Sequence, residues 1–212
     1  MDKKIILSTS YFGPISYFSK LLLPQNVWIE KHEHFIKQTY RNRCIIYGAN
    51  GPVSLTIPVK RGSFHKIKIA DLEIDYSKDW QINQWRAIES SYNSAPFFQY
   101  YSDDIKVFFE SDTRWLFEHN MNIIETLLKL IRLSKDILLT EQYLPDSAHI
   151  IDYRMTLRPK IPPEDPLFRS VRYFQVFDDR HGFIQDLSIL DLLFNAGPET
   201  LDILHRSLKF EV

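Results

Sequence analysis

Three groups of residues in this chain are of types that do chemistry. The first is Tyr40-Arg41-Asn42-Arg43, where two guanidiniums flank an amide ahead of the alternating run Val53-Ser54-Leu55-Thr56-Ile57. Arginine is always charged, and its planar fork of donors matches carboxylate and phosphate oxygens two at a time. The pair therefore points to an anionic ligand. The second group is Asp178-Asp179-Arg180-His181-Gly182, after the apolar stretch Tyr173-Phe174-Gln175-Val176-Phe177. A histidine oriented by a carboxylate is suited to proton transfer near neutral pH, with His181 as base and Asp178 as its partner. The same residues also suit a plain turn, with Asp178 and Asp179 as turn formers and Arg180 and His181 on solvent. The third group is aromatic. Ala95-Pro96-Phe97-Phe98-Gln99-Tyr100 lies in a proline break where rings can line a cleft, whereas Trp85 and Tyr92 recur at helical spacing and pack inward.

Other chemistries find less support. His32-Glu33-His34 offers two imidazoles, but a metal needs a third ligand, and nothing in the spacing singles out His65 or Asp71. No metal is expected. Cys44 sits against Ile45-Ile46 and reads as a buried structural thiol. With 6 glycines the chain has no GxSxG, no P-loop and no GxGxxG, so no nucleotide cofactor is expected.

The elements that must position these groups divide the chain. Ile5 to Leu7 reads as a buried strand that exits through Ser8-Thr9-Ser10 into the apolar segment Tyr11 to Leu23. This is a first β-to-α connection, and the carboxyl end of such a strand faces the crevice where α/β proteins bind ligands. Further strands are expected at Val27 to Glu30, Cys44 to Tyr47, Val53 to Val59, Lys66 to Ile69 and Tyr173 to Phe177, with a turn at Gly48 and Gly51. Helical stripes follow. One starts beside Asp79 and carries Trp85, Ile88 and Tyr92; a longer one, capped by Ser111, carries Leu116, Ile124, Leu127, Leu128 and Ile131. A last pair comprises Leu187 to Phe194, introduced by Asp186 and closed by Gly197, and a short helix opened by Pro198. The fold class is α/β, with a mixed sheet built mainly from the N-terminal half and packed by helices from the C-terminal half. Pro159, Pro162, Pro163 and Pro166 exclude regular structure over residues 158–166, which is expected to be a surface loop within a single domain spanning 1–212.

Charge is balanced, with 26 basic against 27 acidic residues, which argues against general nucleic-acid binding. The single cysteine fits a reducing compartment. The run Ile5-Ile6-Leu7 is far too short for a signal peptide's apolar core, and no apolar run nears the roughly 20 residues that span a bilayer. A cytoplasmic protein without a transmembrane segment is expected.

Taken in order, Tyr11-Phe12-Gly13-Pro14 with Tyr17-Phe18, Tyr40-Arg41-Asn42-Arg43, Gly51 through Leu55 with Pro58, and Trp85 with Ser91-Tyr92-Asn93-Ser94-Ala95-Pro96-Phe97-Phe98 and Tyr100 resemble the WbqC-like family of bacterial proteins. The likeness covers roughly the first 130 residues in register and the C-terminal third more loosely. It implies a place in surface-polysaccharide (O-antigen) and modified-sugar assembly. The activity it implies is transfer of a small acyl or aminoacyl group onto an amino sugar or carrier-linked acceptor. Arg41 and Arg43 would hold an anionic part of that ligand, Tyr11 and Asn42 would orient the acceptor, and Tyr40, Tyr92, Phe97 and Tyr100 would complete the substrate contacts. Many members carry a His-Gln-Pro-like triplet where this chain has Ser8-Thr9-Ser10. That departure supports the alternative reading, a non-catalytic module binding a sugar nucleotide or carrier-linked intermediate.

Overall fold

A computed structural model of the chain describes residues 4–60, 67–145, 147, 149–159 and 165–209. Strand β1 (Lys4–Ser8) buries Ile5, Ile6 and Leu7 completely, as a strand covered on both faces must. Helix α1 (Ile15–Leu21) crosses over and returns the chain as β2 (Val27–Glu30), parallel to β1, with Ile5 opposite Val27 and Ser8 opposite Glu30. Two short strands complete the sheet: β5 (Ile137–Leu139) outside β2, and β6 (Ile150–Asp152) on the far side of β1. The spatial order is β5-β2-β1-β6, all parallel.

The protein is α/β, as expected. Its parallel and antiparallel pairings, however, lie in two sheets. β3 (Arg43–Gly48) and β4 (Gly51–Thr56) form an antiparallel hairpin of their own, closed where Gly51 takes a φ of 105° that disfavours side chains.

Two expected strands did not form. Lys66 lies outside the described residues; Lys68 makes a single bridge to His34, and Ile69–Asp71 then winds into one 3-10 turn. Tyr173 to Gln175 keeps the strand alternation, with Tyr173 and Gln175 buried and Phe174 exposed, yet it pairs with no strand. Instead the Gln175 amide acts as the missing neighbour, accepting from Ile184 N at 2.9 Å and donating to Ile184 O at 2.9 Å.

Helix α2 (Trp80–Tyr92) follows Asp79, whose carboxylate makes no cap. Helix α3 (Phe98–Lys106) leaves the proline break. Helix α4 (Leu116–Leu130) begins later than a Ser111 cap requires. Arg114 O accepts from Ile74 N and Leu116 N donates to Leu72 O, so this backbone is held in bridges before the helix can start. After the single turn α5 (Asp178–His181), helix α6 (Ile189–Ala196) is buried along its whole length. Ser188 caps α6, accepting from Leu190 N, while the expected cap Asp186 turns elsewhere. Gly197 (φ 52°) closes α6 with its α-carbon face against Phe97, where a Cβ would lie 2.4 Å from the ring. Helix α7 (Thr200–Ser207) is the last helix, and Leu208 after it bridges to Phe168.

The C-terminal elements are stitched to the N-terminal ones. Ser188 N donates to Ile45 O, Ile189 N to Gly13 O and Ile15 N to Leu187 O. Among the described residues no helix is long and apolar enough to cross a membrane.

Candidate functional site at the carboxyl edge of the parallel sheet

All four parallel strands run the same way, so their carboxyl ends, Ser8, Glu30, Leu139 and Asp152, share one edge. The connection leaving β1 goes towards β2, while β6 joins β1 from the other side. A crevice is expected where neighbouring connections diverge in this manner. One of about 940 Å³ opens there, walled by His32, His34, Lys68, Tyr143 and Arg154 among others, a size within the range of small-molecule sites.

At and beneath its floor lies a network of buried charge. Glu30 is fully buried and accepts from Thr140 Oγ1 (2.7 Å), His32 N (2.9 Å), Leu144 N (2.9 Å) and Arg154 Nη1 (3.3 Å). Arg154 Nε donates to both oxygens of Asp152 at 3.0 Å, its Nη2 adds a bond to Asp152 Oδ2, and its guanidinium lies 4.8 Å from the Tyr143 ring centre. Burial works against the Arg154 charge, yet its bonds to Asp152 and the nearby Glu30 carry its pKa upward. Next to this lies a second pair. Arg41 is 1% exposed, donates through Nε to Glu33 Oε1 (2.8 Å) and through Nη2 to Glu33 Oε2, and reaches Arg154 O at 3.3 Å.

The expected site residues scatter. Arg41 does not line the crevice: it is buried behind it, with its fork filled by Glu33, which does. Arg43 is half-buried and donates to Thr56 Oγ1 at 3.1 Å, while Asn42 donates to Ile57 O at 2.8 Å and fixes the exit of β4. Tyr11 is wholly buried, donates to Gln84 Oε1 at 2.7 Å, and has its pKa pushed well up by burial. Tyr92 is likewise in the core, donating to Asp191 Oδ1 at 2.9 Å and accepting from Tyr47 N at 3.0 Å. Phe97 and Tyr100 border a separate shallow hollow with Pro198, Tyr100 being 72% exposed. Tyr40 faces another cavity again, beside Asp186.

His181 and Asp178 do not meet. The His181 Nε2 sits 2.9 Å from Ala49 O at the tip of the hairpin, and Asp178 is held by Arg172 Nη2 at 2.7 and 2.9 Å. Arg43 stands at the other end of β3 from that tip, roughly 16 Å away along the strand. His181 is thus a clip between α5 and the hairpin, aided by Tyr47, whose hydroxyl donates to Gly182 O at 2.7 Å. Cys44 is free and buried, and burial pushes its thiol pKa up. His65 lies outside the described residues, among which no group of three or more His, Cys, Asp or Glu could hold a metal.

Ser8, Thr9 and Ser10 border a small void with Tyr40, Arg41 and Arg154 at the base of this edge, and Ser10 Oγ lies 3.4 Å from Tyr40 O. The triplet that departs from the resemblance and the Tyr-Arg-Asn-Arg motif therefore meet in space, 30 residues apart in sequence.

The profile of the WbqC-like protein family matches residues 9–158, a span that contains β1's exit, the Tyr40–Arg43 motif and every residue of the crevice floor. The chain belongs to the WbqC-like protein family. This WbqC-like chain is 26% identical to a Mycobacterium tuberculosis (strain ATCC 25618 / H37Rv) protein, "Uncharacterized protein Rv1507c", across 96% of this chain and 98% of that one. No solved structure matches it.

Sequence reasoning missed Glu30, Asp152 and Arg154. The available signal was a strand such as Val27-Trp28-Ile29 ending in a carboxylate, and Ile150-Ile151 ending in Asp152-Tyr153-Arg154. An apolar parallel strand that terminates in a charge delivers that charge to the ligand edge.

Proposed function

We propose that this WbqC-like protein is a transferase of surface-glycan building that holds a carrier- or nucleotide-linked amino sugar in the carboxyl-edge crevice. There it moves a small acyl or aminoacyl group onto the sugar. The observation that carries this reading is the concentration of buried charge at and beneath the crevice floor, where Arg154 is 4% and Glu30 0% exposed. Buried ion pairs are a weak source of stability, because desolvating two charges offsets most of their attraction. Gathering them at the edge where α/β proteins bind ligands is better explained by ligand recognition.

Among the described residues the floor holds no free cation: Arg154 is shared between Glu30 and Asp152, and Arg41 is filled by Glu33. It therefore suits the hydroxyls and amine of a sugar, with the exposed Tyr143 ring as a platform. The phosphate of the carrier falls to the rim, where Lys68 and His34 are exposed and bridged through their backbones. His32 borders the crevice with its backbone N–H fixed on Glu30 and its Nε2 buried and without a partner among the described residues. In the transfer the acceptor nitrogen or oxygen attacks the acyl carbon, its proton passes to the His32 imidazole, and the donor's leaving group departs with the bonding pair.

One observation favours the non-catalytic reading. Both floor carboxylates are already bonded to Arg154, and Ser8-Thr9-Ser10 stands where the resemblance places a histidine. Binding and turnover assays with a panel of nucleotide- and polyprenyl-phosphate-linked amino sugars separate the two. For a transferase, His32→Ala lowers turnover by about two orders of magnitude or more with affinity almost unchanged. Tight binding with no turnover by any acyl or aminoacyl donor would establish the binding module.

A further inference from the structure

A second cavity, of about 420 Å³, lies between the β3–β4 hairpin and the segment leading into α6. Its walls are mostly apolar, formed by Ile45, Pro52, Phe168, Ile184 and Leu187 among others. Four polar residues interrupt them: Ser170 and Gln185, both exposed, the Asp186 carboxylate, and the Tyr40 hydroxyl, which bonds to no described residue. We propose that this cavity is a binding site for a ligand with a primary ammonium group on a compact apolar body, the ammonium seated on Asp186 with Tyr40 alongside. The inference does not depend on the reading of the crevice.

Charge complementarity identifies the ligand class. None of the lining residues is basic. The cation that acts on Asp186 from nearby, Lys20, is itself buried and committed to Asp165 at 2.6 Å. Among the described residues, Lys20, Asp165 and an ionised Asp186 together leave one negative charge unmatched. Burial lifts the Asp186 carboxyl to about 7 even though the two Ser16 bonds and Lys20 draw it down. A carboxylate in such surroundings gains from any cation brought to it.

Asp186 is also rigidly aimed. Its Oδ1 accepts from Ser16 N at 2.7 Å and its Oδ2 from Ser16 Oγ at 2.8 Å, which caps the first turn of α1, where Pro14 has no side chain to offer. Each oxygen retains a further lone pair for a ligand. The residue is held at φ 56°, a left-handed conformation that costs of order 1 kcal/mol outside glycine and persists where the surroundings impose it. Capping α1 accounts for the two Ser16 bonds. It does not account for an apolar cavity with a single uncompensated carboxylate in its wall.

The test uses the full chain and two probes of one shape, isoamylamine and isoamyl alcohol, titrated by ligand-observed NMR. Asp186→Asn keeps an acceptor for Ser16 N and removes the charge; Ser170→Trp covers the mouth from an exposed position. The amine should bind at least about tenfold more tightly than the alcohol, Asp186→Asn should erase that preference, and Ser170→Trp should weaken both probes. Should Asp186→Asn not fold, Ser170→Lys supplies an internal ammonium and should weaken the amine about tenfold instead. Equal affinity for amine and alcohol, an amine preference that survives the substitutions, or no amine binding up to ~10 mM would each overturn the assignment.

Discussion

The carboxyl edge of the parallel sheet and the Asp178–His181 turn are made of the same residue types in opposite surroundings. At the edge, Arg154 and Glu30 pair with side chains 4% and 0% exposed; at the turn, Arg172 pairs with Asp178 at 70% and 22%. Water screens the second pair, so it contributes about 0–1 kcal/mol and constrains little. The first has given up its hydration, and each partner depends on the others for its charge to be tolerable. Proximity of Asp to His in sequence therefore says less about a site than burial at the end of a strand does.

The comparison is broken most readily by removing one charge from each region. Arg154→Met leaves Glu30 and Asp152 without their cation and should cost roughly 3–5 kcal/mol in urea unfolding, whereas Arg172→Met should cost no more than about 1 kcal/mol. Equal losses would mean that the edge network is no more demanding than a surface pair. Arg41→Lys comes next. A lysine cannot fill both oxygens of Glu33 and also reach the Arg154 carbonyl, so a loss of about 1–3 kcal/mol is expected. Arg43→Lys, which gives up one bond to Thr56, should stay within about 1 kcal/mol in the same assay.

A pH scan sharpens the contrast between buried groups with and without partners. His119 is enclosed by Tyr11, Trp80 and Phe108, and burial alone lowers its pKa from 6.5 to about 4. The unfolded chain takes up that proton first on acidification, so this contribution is present above pH 6.5 and lost as pH falls towards 4. Asp186 and Asp191 act in the opposite sense. Burial raises them from 3.8 to about 7 and about 6, so their contribution is present below 3.8 and lost as pH rises through those values. His119→Phe should therefore raise stability at pH 5 relative to pH 7 when the two urea midpoints are compared with wild type. An unchanged difference would place the titration elsewhere. The smallest effect belongs to the turn: His181→Ala should change stability by no more than about 0.5 kcal/mol and leave crevice binding as it was.

The patterns that were legible in the sequence are the local ones. Ile5 to Leu7, Val27 to Glu30, the Gly48–Gly51 hairpin and the Trp80–Tyr92 stripe all form where periodicity placed them. Strands β5 and β6 did not announce themselves, because three residues are too few for a period-2 signal and their identity depends on edges already present. Tyr173 to Phe177 shows the converse: a strand-like pattern with no free edge beside it borrows a ladder from the Gln175 side chain. The Tyr40-Arg41-Asn42-Arg43 motif was visible, but Arg41 meets the crevice only through a wall residue that it pairs with. Its partner Glu33 was not foreseeable, since the pairing is set by how the chain turns after β2 and not by spacing. Arg154 lies 124 residues from Glu30, a separation over which no local pattern carries information.

The most direct measurement is the affinity of the phosphate-linked amino-sugar panel for wild type, Lys68→Glu and His181→Ala by calorimetric titration. Lys68 is exposed, so its replacement tests the crevice rim without disturbing the fold. If the carboxyl edge is the ligand site, Lys68→Glu should weaken binding about tenfold or more while His181→Ala binds like wild type. Binding that ignores Lys68→Glu and collapses in His181→Ala would contradict the account and return the site to the hairpin.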